Sequence, residues 1–183
     1  LATDWCSSPA ISSWSDFNGD GMPDLLCNNS TSGNHKVKLS TGTGLVSPVA
    51  SDPTGLVISD WTCDGGEISW SDFNGDGKSD LHCDEPENAE YWVLLSTGTG
   101  LVSPVVSGRP DSRLKAPASW CKPNAAGQGL GRTSWSDFDG DGLPDLHCDI
   151  KTFGKYYVLR STGIGLVSSV SGLDDGFLNA PSG

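Results

Sequence analysis

Positive charge is scarce in this chain of 183 residues: Lys and Arg total 11 against 23 Asp and Glu, for a net charge of −12 and an isoelectric point near 4.3. A protein that grips phosphates needs clustered cations, so nucleic acid and anionic membrane surfaces are excluded as partners. No apolar run is long enough to span a bilayer, and no apolar leader opens the chain. The chain begins at Leu1 rather than Met, which reads as a processed or excised product. Sustained 3.6-residue periodicity is missing, and 24 glycines and 11 prolines break the pattern about every ten residues, so essentially no helix is expected. There is no CxxC pair, and six cysteines, an even number, favour disulfides over zinc. Nucleophile elbows, HExxH and a convincing Ser-His-Asp set are also absent, so the chain is read as a non-enzyme. Aspartates abound, and a glycosidase-like carboxylate pair could be drawn among them, but they are better used as ligands.

What the chain has is a repeat. Ser13–Leu25, SWSDFNGDGMPDL, returns at Ser69–Leu81 and at Ser134–Leu146. The first Asp of each copy (Asp16, Asp72, Asp137) steps by 56 and then 65 residues. A second segment, Ser40–Val49, recurs at Ser96–Val105 and Ser161–Val170, always 24 residues after that Asp. The nine extra residues of the last step therefore fall between Val105 and Ser134, in a proline- and glycine-rich insertion. Three units follow, at 1–55, 56–114 and 115–183, the last with a return strand from the C-terminal tail. That tail, Phe177–Gly183, resembles Leu114–Ser119, which leads into Trp120-Cys121. Reading on from Gly183 to Leu1 brings Trp5-Cys6 nearly on schedule, so the ends are expected either to meet in one ring or to join consecutive chains head to tail.

Each unit reads as short strands. The first is Trp5-Cys6 (Trp61–Cys63, Trp120-Cys121), the second Ile11–Phe17, and the third Asp24–Cys27, with Leu25 and Cys27 on one face by the two-residue period. The fourth is Lys36–Leu39 (Tyr91–Leu95, Tyr156–Leu159), and Leu45–Val49 follows a Thr-Gly-Thr-Gly turn as its hairpin partner. The fold class is all-β. Six cysteines allow about 15 pairings, and repeat symmetry selects one set: Cys6–Cys27, Cys63–Cys83 and Cys121–Cys148.

The repeated loop has the chemistry of a hard-cation site, and Ca²⁺ is the expected ion at three places. Side-chain oxygens alternate at positions 1, 3 and 5 (Asp16, Asn18, Asp20; Asp72, Asn74, Asp76; Asp137, Asp139, Asp141). Glycine at position 6 (Gly21, Gly77, Gly142) permits a tight reversal. The position-7 carbonyl (Met22, Lys78, Leu143) can face the ion, and Asp24, Asp80 and Asp145 at position 9 close the cage. An EF-hand would need Glu at position 12, where this chain has Cys27, Cys83 and Cys148. Three bound ions would bring the charge from −12 to about −6.

Asp16–Leu25 and its copies resemble the calcium motif of FG-GAP/VCBS-type repeats, the blades of integrin-α-like β-propellers. The resemblance implies four-stranded antiparallel blades, a calcium loop at each blade edge, and extracellular adhesion, lectin or scaffold roles. Relatives usually close with about seven blades. Three blades are compatible with a small ring, half of a dimeric six-blade ring, or a segment of an open array. The cysteine pair within each blade is not part of the general motif.

Other residues are weighed against plainer roles. Trp14, Trp70 and Trp135 precede the loops at one position, and repeated core aromatics explain them better than a sugar-stacking platform. Tyr91, Trp92, Tyr156 and Tyr157 are less symmetric and are the better candidates for a binding surface. His82 and His147 are expected to point outward, opposite the buried Leu and Cys of their strands. Asn28 and Asn29 head overlapping glycosylation sequons. The four arginines, Arg109, Arg113, Arg132 and Arg160, occupy no repeated position, unlike the cluster expected of a sialidase-like propeller enzyme. The expected function is a secreted or cell-surface calcium-binding repeat module for adhesion, scaffolding or head-to-tail assembly, with itself or another repeat chain as partner. The alternatives are a calcium-dependent glycan-binding lectin and an accessory propeller of a secreted enzyme or toxin.

Overall fold

The computed structural model describes residues 5–6, 10–29, 34–49, 56–58, 63, 66–85, 90–103, 113–116, 120–121, 131–150, 154–168 and 177–178. Among these the protein is all-β, with no helix. No helix is long and apolar enough to cross a membrane.

The strands of unit 1 are β1 (Ile11–Ser15), β2 (Asp24–Asn29), β3 (Asn34–Ser40), β4 (Leu45–Val46) and β5 (Leu56–Ile58). Unit 2 has β6 (Glu67–Ser71), β7 (Asp80–Glu85), β8 (Glu90–Ser96), β9 (Leu101–Val102) and β10 (Arg113–Lys115). Unit 3 has β11 (Arg132–Ser136), β12 (Asp145–Ile150), β13 (Lys155–Ser161), β14 (Leu166–Ser168) and β15 (Phe177–Leu178). Each set forms one antiparallel sheet in which the first four strands pair in chain order and the fifth pairs with the third. Although there are five strands, each sheet is four wide. Two short strands share one edge: β4 pairs with Leu39 and Ser40 at one end of β3, and β5 with His35–Val37 further along. Units 2 and 3 repeat this arrangement on β8 and β13. These are blade-like sheets.

The Trp-Cys segments are corrected by this topology. Trp5-Cys6 and Trp120-Cys121 lie in turns, not strands. Cys121 has φ of 57°, a left-handed conformation that a strand does not accept. Cys63 is in no strand, and Trp61 and Thr62 lie outside the described residues. The outer edge belongs instead to β5, β10 and β15, so the first two sheets extend past residues 55 and 114. The Leu114 and Phe177 segments, read as lead-ins to a Trp-Cys strand, are themselves those edge strands.

The three expected disulfides are present, with Cα separations of 5.6 Å (Cys6–Cys27), 5.7 Å (Cys63–Cys83) and 5.5 Å (Cys121–Cys148). Each ties an incoming turn to the second strand of its own sheet. By chain entropy, closing loops of this size contributes roughly 3 kcal/mol each. Gly131 makes room for one of them: a Cβ there would stand 2.5 Å from Cys121 Sγ and 2.7 Å from Cys148 Sγ.

The core lies between sheets rather than within them. Phe17, Leu26 and Val37 of unit 1 pack against Trp70 and Leu101 of unit 2. Phe73, Tyr91 and Val93 of unit 2 pack with Leu146, Leu159 and Trp135 of unit 3. Strand alternation produces this: on each second strand one residue faces the preceding unit (Leu25, Leu81, Leu146) and the next faces the following one (Leu26, His82, His147). Leu81 and Leu146 are fully buried, whereas Leu25, on the first unit, is only half-buried.

Candidate metal centre

Each candidate loop joins the first two strands of a sheet, between registered pairs Ser15 and Asp24, Ser71 and Asp80, Ser136 and Asp145. The loop backbone folds around the first Asp. Asp16 Oδ1 accepts from the N–H of Gly19 (2.7 Å) and Asp20 (3.2 Å), and Oδ2 from Gly21 (2.8 Å). Asp72 accepts from Gly75, Asp76 and Gly77 in the same way, and Asp137 from Gly140 and Gly142. Gly21, Gly77 and Gly142 take φ of 84–90°, as the tight reversal requires. Glycine at position 4 (Gly19, Gly75, Gly140) is also left-handed. That requirement was visible in the repeat but was not among the residues singled out from it.

Position 9 has two roles. Asp24 is fully buried; its Oδ2 accepts from Phe17 N–H (2.9 Å) and its Oδ1 from Ser40 N–H (2.7 Å). Asp80 binds Phe73 and Ser96 N–H, and Asp145 binds Phe138 and Ser161 N–H, at 2.7–2.9 Å. The carboxylate thus clamps the loop to the start of the Ser-Thr-Gly turn, which accounts for the constant spacing of 24 between loop and turn. Burial raises the pKa of Asp24 despite these bonds. Burial pushes Asp80 up to about 7, with the charges of Asp76 and Asp72 adding to the rise.

The donor set fits a hard cation. Side-chain oxygens of Asp137, Asp139 and Asp145 lie within 4.8 Å of one another. Asp141 is outside that trio, and its Oδ1 accepts from Leu143 N–H (2.8 Å). In loops 1 and 2 position 3 is Asn18 or Asn74, whose Oδ1 accepts from the position-5 N–H at 3.1 Å. Two cations reach candidate ligands: Lys78 Nζ lies 3.1 Å from Asp76 Oδ2, and Arg160 Nη1 3.0 Å from Asp139 Oδ2. Carbonyls of Met22, Lys78 and Leu143 are the backbone donors available to the set.

Several other residues have roles the sequence did not disclose. His82 is fully buried, not outward: Trp135 of the next unit covers it with ring centroids 4.6 Å apart. Burial lowers its pKa to about 4, and Nε2–H donates to the Ser71 carbonyl (3.2 Å). His147 is half-buried, with Nε2 2.9 Å from Ser136 Oγ. Tyr91 is a core residue, edge-on to Trp120 at 5.6 Å, and Tyr157 also packs on the core, which removes both from the candidate binding surface. Trp92 is half-buried, and Tyr156 is exposed. Asn28 is buried, with Oδ1 accepting from Trp70 Nε1 (3.3 Å) and its Nδ2 beside Ser13, so it is not placed to accept a glycan. Asn29 is half-buried at the end of β2.

Residues 16–83 match the family model for the FG-GAP-like repeat, from the first loop's Asp16 to the second unit's Cys83. The matched segment is an FG-GAP-like repeat region, and the third unit repeats its loop at the same spacing. A solved structure, the Photorhabdus luminescens Tc holotoxin pore carrying the mutation TccC3-D651A, is similar at 14% identity and a TM-score of 0.47. The match covers 84% of this chain but 8% of that one. No curated protein matches the sequence.

Proposed function

We propose that this chain is a calcium-stabilised, non-enzymatic extracellular repeat module that serves adhesion, scaffolding or assembly. The observation that carries the reading is the buried position-9 aspartate, present in all three units with the same two backbone partners and with acidic neighbours. An anionic floor repeated in this way favours a divalent cation. Asp16, Asn18, Asp20 and Asp24, with the Met22 carbonyl, would hold it in unit 1, and the equivalent residues in units 2 and 3. A bound Ca²⁺ supplies positive charge that offsets carboxylate repulsion and fixes the turn between two strands, so its binding free energy adds to folding.

The three disulfides support an oxidising compartment, where calcium is also plentiful. Uniformity of the units supports a structural role, because catalytic sites break repeat symmetry. The test is calorimetric titration with Ca²⁺ alongside thermal melts in calcium and in EDTA. The expected result is about three ions per chain, from the three loops, and a higher Tm with calcium. No heat of binding and superimposable melts would refute the reading.

A further inference from the structure

The two inter-unit interfaces are copies of one another, and the chain's outer faces are their two unmatched halves. At the second interface, Trp135 of unit 3 meets three residues of unit 2. Its ring stands edge-on to Phe73 (6.0 Å) and over His82 (4.6 Å), and its Nε1 donates to the Asp84 carboxylate at 3.0–3.1 Å. At the first interface, Trp70 of unit 2 stands edge-on to Phe17 (6.1 Å) and donates to Asn28. Backbone contacts accompany this: Ser96 Oγ donates to the Phe17 carbonyl (2.6 Å).

Unit 3 carries the same receiving triad as unit 2, residue for residue: Phe138, His147 and Asp149 stand where unit 2 has Phe73, His82 and Asp84. Among the described residues no tryptophan stacks on them as Trp135 does on Phe73 and His82. Phe138 is 49% exposed, while Phe17 and Phe73 are fully buried. At the other end, Trp14 of unit 1 is 59% exposed, while its equivalents Trp70 and Trp135 are half-buried. Ser40, the counterpart of Ser96, ends β3 of the same sheet, its Oγ accepting from Gly42 N–H as Ser96 Oγ does from Gly98. Both faces being open in one chain, Trp14 does not reach its own unit 3.

We infer that Trp14 of one molecule docks on Phe138, His147 and Asp149 of a second copy, so that the chain associates head to tail through a third version of its internal interface. The occupant is a second copy because the chain already builds this Trp-on-Phe contact twice, each time with the indole N–H donated to the side chain at the Asp149 position of the repeat. Such a contact is heterologous, and it propagates to a filament or closes into a ring of copies. The proposal deepens the assembly part of the reading above and rests on it.

Native mass spectrometry and sedimentation across a concentration series, in calcium, test it. The variants are Trp14→Ala, the double variant Phe138→Ala/Asp149→Ala, and Val102→Ala as a control exposed in the middle unit. Wild type and the control are expected to give dimers and longer species. Each face variant alone should lose about a hundredfold in association, as expected for losing a central aromatic anchor. Mixing the two face variants leaves one intact pair of faces, so the mixture should recover dimers and nothing longer. A wild type that stays monomeric, whether its ends close on themselves or remain open, would overturn the inference. So would a mixture that stays monomeric, or a control that fails as badly as the face variants. Ion binding is read by melting and heat, assembly by mass, so failure of one is separable from failure of the other.

Discussion

Two residues at one repeat position show how a side chain's burial sets its charge. Asp84 and Asn28 both accept an indole N–H from the next unit. Burial pushes Asp84 up to about 6, against the opposing effect of bonds from Trp135 and Thr133. An acid whose folded pKa lies above its unfolded value binds more protons when folded, so stability falls as pH rises from about 4 to about 6 and then levels. Asp84→Asn should remove that slope, since unit 1 already uses Asn there. The variant should be more stable than wild type at pH 7 by roughly 1–3 kcal/mol. Urea melts of both proteins between pH 4 and pH 7 check the prediction; equal slopes would show that Asp84 ionises freely in the fold.

The loop with its two flanking strands is the element on which the candidate site depends, and its aspartates divide into two kinds. Asp24 holds the N–H groups of Phe17 and Ser40 through its two carboxylate oxygens. Asp24→Ala would leave two amides without their partner and should cost about 2–5 kcal/mol in calcium and in EDTA alike. Asp20 is exposed, and its carboxylate makes only exposed bonds within the loop, from Met22 N–H to Oδ1 and from Asn18 Nδ2 to Oδ2. Asp20→Ala should therefore lower Tm in calcium and scarcely change it in EDTA. Thermal melts of the two variants in both buffers give the comparison, and equal losses for Asp20→Ala in both would remove it from the ligand set. The oxygen spacing and the glycine reversal were legible in the sequence because they are local. The clamp from Asp24 to Ser40 was visible only as a constant distance along the chain, since a backbone N–H carries no side-chain signature.

At the scale of the whole molecule, stability comes from sheet-to-sheet contact. Trp70 and Trp135 are at once members of their own strands and lids on the preceding unit. Trp135→Ala should cost about 2–4 kcal/mol by opening the second interface and stranding the buried Asp84. Trp14→Ala, at the same repeat position but exposed, should change monomer stability by less than about 0.5 kcal/mol. Chemical denaturation at low protein concentration compares them, and equal losses would contradict the stacked arrangement.

Periodicity along the chain was enough to establish the all-β class, the three units, the disulfide pairing and the oxygen-rich loops, because each is written in residue types at fixed spacing. It misplaced Trp5-Cys6 and Trp120-Cys121, since a short aromatic-cysteine pair reads the same in a turn as in a strand. It also turned His82 to solvent and Tyr91 to a surface, because alternation within one sheet does not say what lies on either side of that sheet. Only the stacking of one sheet on the next decides that Phe17 and Phe73 are buried while Phe138 is exposed, though all three sit at the same place in the repeat. The physical reason is that burial here belongs to pairs of units: Phe17 and Phe73 lie at the two contacts between the units of this chain, and Phe138 lies at neither.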